Sequence, residues 1–393
     1  MCEKLKNVLQ ETLHTAVKNG ELAGGNLMVI QDGKELVYLE EGLADIEQNK
    51  PISRNAIFRL YSMSKPVTAA SVMILMERGM LDLFEPVSNY LPGFAGQMVD
   101  VEGELVAAER EVNIHDLLSM TSGLVYEGYP GKASEDTALL YREIGERLLS
   151  DNPMSTVEIA DRLGKCALAF QPGTSWHYGT SADVLGAVVE KVSGIRFGEF
   201  LEKEIFEPLG MRDTGFYVTP DKQERLVKTY ARGEKGTLTY YEGNHLGINN
   251  QMDHIPAYES GGAGLVSTID DYARFGRMLI NQGTLNGIQI MLPRTVEYMT
   301  SCNLNTIQQT VFHNKWTHLA GYNYGNLMRV MTECGKAGLI CSPGEYGWDG
   351  WLGGYFANCP AEKLTILFLM QKTDTGTTSL TRKLRNIILS TLM

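Results

Sequence analysis

Phe58-Arg59-Leu60-Tyr61-Ser62-Met63-Ser64-Lys65-Pro66 is followed by a long apolar run, Val67-Thr68-Ala69-Ala70-Ser71-Val72-Met73-Ile74-Leu75-Met76. The run has the length and composition of a buried helix. Pro66 lies near its start, where a missing backbone N–H costs little. Ser62 and Lys65 then fall in the first turn, and a spacing of i, i+3 puts them on one face. A hydroxyl beside a desolvated amine can be made nucleophilic, because the amine sits neutral near pH 7 and accepts the proton. The plainer alternative is an N-cap serine followed by a solvated lysine. Ser-x-x-Lys occurs once in this chain, at Ser62.

The chain's 393 residues suggest two lobes. Hydrophobic residues make up 44% and charged residues 21%, as in ordinary soluble proteins. A net charge of -12 with no basic cluster argues against nucleic acid and against anionic membrane surfaces as partners. Six scattered cysteines without Cys-x-x-Cys spacing suggest neither a zinc site nor a disulfide framework. The start lacks the apolar core of a secretory signal, and no apolar run could span a bilayer, so a cytoplasmic location is expected.

Outward from the central stretch, residues 3–20 carry apolar residues at helical spacing. Asn26 to Gln31 and Lys34 to Leu39 read as strands joined at Asp32-Gly33, a strong hairpin signal. Helices are expected at 113–120, from the cap Ser155, over 183–192 and 197–210, and from the capping stretch Ser267-Thr268-Ile269-Asp270 to about Asn281. Residues 124–153 read as a loop-rich insertion of the kind that lines a pocket, with Tyr126 in it. Strands return at Tyr324 to Met331, Gly353 to Asn358 and Leu364 to Met370, before a closing amphipathic helix over 378–392. Strands at both ends of the chain suggest one sheet completed by both termini.

A Ser-Lys nucleophile needs a proton relay and donors for an oxyanion. The relay candidate is Tyr178, in the turn-rich Pro172-Gly173-Thr174-Ser175-Trp176-His177-Tyr178-Gly179-Thr180. The alternative is a buried aromatic that anchors the loop.

Taken together these segments resemble the serine β-lactamase and penicillin-binding-protein superfamily, in particular its class C β-lactamase-like branch with the family VIII esterases. The carrying motifs are Ser62 to Lys65, Asp116 to Leu124, Gln171 to Tyr178 with Leu185-Gly186, and Gly261 to Leu265 with Asp271 to Phe275. The resemblance implies an α/β (α+β) fold, an antiparallel sheet flanked by helices plus a mainly helical lobe. Residues 1–88 and 236–393 would form the sheet domain and 89–235 the helical one. It implies Ser62, Lys65 and Tyr178 as catalytic residues and the backbone N–H groups of Ser62 and Trp351 as oxyanion donors. Two departures stand out. The family's Tyr-x-Asn is Tyr178-Gly179-Thr180, and its Lys-Thr-Gly aligns with Trp348-Asp349-Gly350.

Tryptophan in place of that lysine removes the cation that meets a β-lactam carboxylate. The expected function is therefore acyl transfer through a serine ester on small-molecule esters or amides, esterase-like. Trp348, Asp349, Gly350 and Tyr126 would line the substrate site, and neither metal nor organic cofactor is needed. A D-amino-acid-specific peptidase or weak β-lactamase is the alternative within enzymes. A catalytically silent binding protein on the same fold is the alternative outside them.

Overall fold

The computed structural model describes residues 2–391. Helix α1 (Cys2–Lys18) leads into strands β1 (Gly24–Gln31), β2 (Lys34–Asp45) and β3 (Lys50–Pro51). The β1–β2 hairpin turns at Asp32 and Gly33, both at positive φ (48° and 73°), the twist-compatible form for a two-residue loop. Next come α2 (Ser64–Glu77), α3 (Ile114–Ser119), α4 (Lys132–Arg147), α5 (Thr156–Gly164), α6 (Ser181–Ser193) and α7 (Ile269–Ile280). Strands β4 (Tyr322–Gly325), β5 (Met328–Met331), β6 (Tyr346–Asp349), β7 (Tyr355–Cys359) and β8 (Leu364–Met370) complete the sheet, and α8 (Ser379–Thr391) closes the chain.

The eight strands run in the order β4-β5-β6-β7-β8-β1-β2-β3, and every neighbouring pair is antiparallel. The first and last segments of the chain meet at the β1–β8 pair, in register from Gly25 opposite Met370 to Gln31 opposite Leu364. Alternation along the strands splits the core in two. Leu27 and Val29 join Ile366 and Phe368 against α1 and α8. Met28 and Ile30 join Leu367 and Leu369 on the opposite face, in the same cluster as α2, α7 and the helical layer. Helix α2 is buried from Ser64 through Leu75, so no polar face interrupts its apolar surface. Each buried Leu, Ile or Met there contributes about 1.5–3 kcal/mol relative to exposure. This packing anchors the segment that carries Ser62.

The structure corrects two local readings. Residues 124–153 are not loop throughout, since α4 occupies 132–147. Its buried face is Ala133, Ser134, Thr137, Leu140 and Ile144, and three small residues on that face hide the helical period. Tyr324 to Met331 is not one strand but parts of β4 and β5. Leu327 turns at φ 60°, and the Asn326 amide donates to the carbonyls of Tyr298 and Met299 (2.9 and 3.0 Å). Within 89–235 there is also a hairpin of Met98–Val101 with Glu104–Ala107. A second hairpin, Tyr230–Arg232 with Leu238–Tyr240, crosses the expected boundary at 235/236. It is tied to the sheet side by Tyr230 N–H donating to Gln371 O (3.0 Å), and the segment leading into it by Val227 N–H donating to Ile57 O (2.9 Å).

Candidate active site

Ser62 lies in a 3₁₀ turn, Tyr61–Met63, that runs directly into α2. The approach is held from several sides. Phe58 and Arg59 pair with Ser267 and Val266, and Leu60 N–H donates to Leu265 O at 2.8 Å. The buried Arg59 guanidinium donates to the carbonyls of Asn250 and Val227 (2.7 Å each). Tyr61 then adopts φ 46°, an uncommon conformation for a bulky residue. Its ring is buried against Trp351, with centroids 4.9 Å apart. That turn presents Ser62 at the mouth of the helix.

Lys65, one helical turn on, is fully buried. Its Nζ donates to Ser62 Oγ at 3.2 Å and to the Gly262 carbonyl at 2.8 Å. Burial lowers its pKa from 10.5 to about 8, while the carboxylates of Asp183 and Asp349 act in the opposite direction. The Lys65 amine lies 4.6 Å from the centroid of the Tyr178 ring. Trp348 Nε1 donates to the Tyr178 hydroxyl at 3.1 Å. Burial raises the Tyr178 phenol well above its usual range, against the lowering effect of its hydrogen bonds with Ser62 and Trp348. Tyr178 is therefore a neutral phenol at ordinary pH. Indole is a donor only, so the phenol's oxygen accepts from Trp348 and its own proton remains free to be donated.

The end of β6 closes on this group. A Cβ at Gly350 would stand 2.4 Å from Leu60 O, so only glycine permits the approach there, and Gly354 lies against Met63 Sδ. Within the turn, Gly350 N–H donates to Gly354 O (2.8 Å) and Gly353 N–H to Gly350 O (2.9 Å). The backbone N–H of Trp351 has no acceptor among the described residues, while its indole Nε1 donates to Asp374 Oδ1 at 2.8 Å and its carbonyl accepts from Thr375 N–H at 3.0 Å. An unengaged N–H beside the serine is what an oxyanion requires.

These groups open into a cleft of about 740 Å³. Ser62, Tyr126, Tyr178, Trp348, Asp349, Gly350 and Trp351 all line it, and Lys65 sits behind Ser62. The structure thus brings together every residue that the sequence nominated. Tyr126 packs on Tyr178 with centroids 5.9 Å apart. Asp349 accepts from Thr377 Oγ1 at 2.5 Å. The Trp348 indole N–H is committed to Tyr178. Several lining residues went unread in the sequence. Trp316 packs on Tyr178 and Trp348 (4.9 and 5.6 Å), and His245 stacks on Trp351 at 4.1 Å. Arg329 is buried against the Tyr355 ring at 4.5 Å and donates to Phe356 O at 3.0 Å. Glu127 and Asp374 add two carboxylates to that of Asp349. Only Arg329 carried a usable signal, a charge inside a segment read as a strand.

A profile of the Beta-lactamase family matches residues 9–388. The chain belongs to that family, and so to the serine β-lactamase and penicillin-binding-protein superfamily. An uncharacterised protein of Mycobacterium tuberculosis is 32% identical over 370 residues, covering 92% of this chain and 89% of its own length. Esterase EstB of Burkholderia gladioli is 30% identical over 377 residues, with the same two coverages. Among solved structures, EstCE1, a hydrolase with promiscuous acyltransferase activity, superposes with a TM-score of 0.84 at 24% identity, covering 99% of both chains. Simvastatin synthase (LovD) from Aspergillus terreus gives 0.81 at 22% identity, covering 98% of both. At those identities the structures speak for the fold alone. Family membership and the esterase relative place the chain among hydrolases. Among the described residues no helix is long and apolar enough to cross a membrane.

Proposed function

We propose that this protein is a serine hydrolase that cleaves small carboxylic esters through an acyl-enzyme on Ser62. The observation that carries the reading is the fully buried Lys65 amine, with a pKa near 8, in hydrogen-bond contact with the Ser62 hydroxyl. Ser62 gives its proton to neutral Lys65 as Oγ attacks the ester carbonyl. The oxyanion faces the N–H groups of Ser62 and Trp351, at the positive end of α2. Collapse of the tetrahedral adduct expels the alcohol, which takes its proton from the Lys65 ammonium by way of the Tyr178 phenol. Water then enters, and the same groups release the acid.

The cleft lining supports esters over β-lactams. A β-lactam carries a carboxylate beside its reacting carbonyl, and burying that charge is costly without a partner. Here three carboxylates face one guanidinium, and that guanidinium stacks on Tyr355. Trp348 has no free donor to offer. The test compares kcat/KM for p-nitrophenyl acetate and butyrate with that for nitrocefin and penicillin, in wild type and Ser62→Ala. The esters should lead, and Ser62→Ala should lose at least about 10³-fold with an unchanged circular dichroism spectrum. A higher value for penicillin, or most activity retained in Ser62→Ala, would refute the proposal.

A further inference from the structure

The reaction above makes no use of one buried carboxylate behind Lys65. Asp183 stands in the first turn of α6 and is 2% exposed. Its Oδ1 accepts from Ser260 Oγ at 2.5 Å and from Gly262 N–H at 3.0 Å. The carbonyl of the same Gly262 accepts from Lys65 Nζ at 2.8 Å. One residue therefore bridges the carboxylate and the amine. The glycines of Ser260-Gly261-Gly262 serve this contact. A Cβ at Gly262 would lie 2.8 and 3.0 Å from the two Asp183 oxygens, and one at Gly261 would lie 2.3 Å from Ala182 O. The glycine-rich stretch is thus a close-packing surface for the start of α6.

Proton transfer from Ser62 turns a neutral amine into an ammonium where no water reaches it, and an uncompensated buried charge is costly. Lys65 makes no ion pair among the described residues. Two carboxylates act on it through space, Asp183 from α6 and Asp349 from β6. Asp349 stands at the cleft, where solvent and substrate screen it, whereas Asp183 is sealed. The other titratable groups facing this pair are phenols. Tyr178 and Tyr126 face Lys65, while Tyr126, Tyr141 and Tyr258 face Asp183, and burial keeps all of them protonated. None of them supplies a charge.

We propose that Asp183 is a positioning residue, the fixed counter-charge for the ammonium formed when Lys65 takes the Ser62 proton, held in place by Ser260 and Gly262. In that step the Ser62 O–H bond breaks, a Lys65 N–H bond forms, and the negative charge passes to the substrate carbonyl oxygen. The inference rests on Ser62 and Lys65 acting as nucleophile and base.

The experiment is the pH profile of kcat/KM for p-nitrophenyl butyrate between pH 5.5 and 10. Asp183→Asn keeps the acceptor for Ser260 and Gly262 and deletes the charge. Its rising limb should move to lower pH by about one unit, a tenfold change in the proton affinity of Lys65. The plateau should fall by about 10- to 100-fold, because the ammonium has lost its partner. Ser260→Ala, which keeps the charge, should leave the limb within about 0.3 units of wild type. A limb unmoved in Asp183→Asn would overturn the inference. Should that variant fail to fold, Asp183→Ser, which leaves room for a water, is read in the same way. Failure of both to fold would assign Asp183 a purely structural role and overturn the inference as well. Activity surviving in Ser62→Ala would instead strike the hydrolase reading itself.

Discussion

Replacing Lys65 by methionine should abolish activity and yet leave the protein at least as stable at neutral pH. The folded-state pKa of Lys65 is about 8, against an ordinary value of 10.5. Below pH 8 the amine is charged in both states, but the folded site disfavours that charge. The gap corresponds to about 3 kcal/mol of destabilisation at pH 7. Between about pH 8 and 10.5 the unfolded chain binds more protons than the folded one, so stability rises with pH. By pH 10 the deficit has shrunk to about 1 kcal/mol. Methionine removes this deficit and fills similar space. It also leaves the Gly262 carbonyl without its donor, at a cost of about 1–3 kcal/mol.

Lys65→Met should therefore lie between equal to wild type and about 2 kcal/mol more stable at pH 7. Its advantage should shrink by about 2 kcal/mol on going to pH 10. Urea unfolding of both proteins at the two pH values measures this, with other titrating groups cancelling in the difference. A difference that stays constant from pH 7 to pH 10 would refute the claim that the buried amine is destabilised in its charged form. In wild type, the same pKa makes kcat/KM rise about tenfold from pH 7 to pH 9, since the neutral fraction grows from about one tenth to nine tenths.

Tyr178→Phe should lower kcat/KM by about 10²- to 10⁴-fold, the range for a lost general acid–base group. Steady-state ester hydrolysis checks this, and a value near wild type would remove Tyr178 from the relay. Arg385 pairs with Glu345 under the sheet, with side chains 2% and 0% exposed. Arg385→Met alone should cost about 3–5 kcal/mol in urea unfolding, while the double variant Arg385→Met with Glu345→Leu should recover most of that loss.

Much of this was legible in the sequence, and the exceptions have a common physical cause. Local pattern fixed what local pattern controls. The Asp32-Gly33 turn, the buried helix α2 and the run Leu364 to Met370 each appear where their residues indicate. The contact between Ser62 and Lys65 was readable because i, i+3 spacing on one helix guarantees proximity. Helix α4 was missed because Ala133, Ser134 and Thr137 pack its buried face without apolar periodicity. Arg329, Trp316 and His245 reach the cleft through tertiary contacts that no spacing encodes. Asp183 was visible only as a helix residue, and its tie to Lys65 passes through a loop about eighty positions away.

The exchange at position 348 alters more than substrate charge. A lysine there would place a second cation close to Tyr178, favour its phenolate and raise the cost of charging Lys65. The indole does neither. It hands a neutral N–H to the phenol oxygen and packs its ring against Tyr178, Trp316 and Tyr324. The phenol stays protonated, and the remaining cationic group at the serine is Lys65, which Asp183 can then balance. In the proposed reaction this separates the two jobs. The amine takes the serine proton, and the phenol carries a proton to the departing oxygen. An alkoxide leaving from an ester is a strong base that needs such a donor. In the proposed reaction an aromatic at 348 thus favours ester cleavage twice, through the charge it removes from the cleft and through the protonation state it leaves on Tyr178.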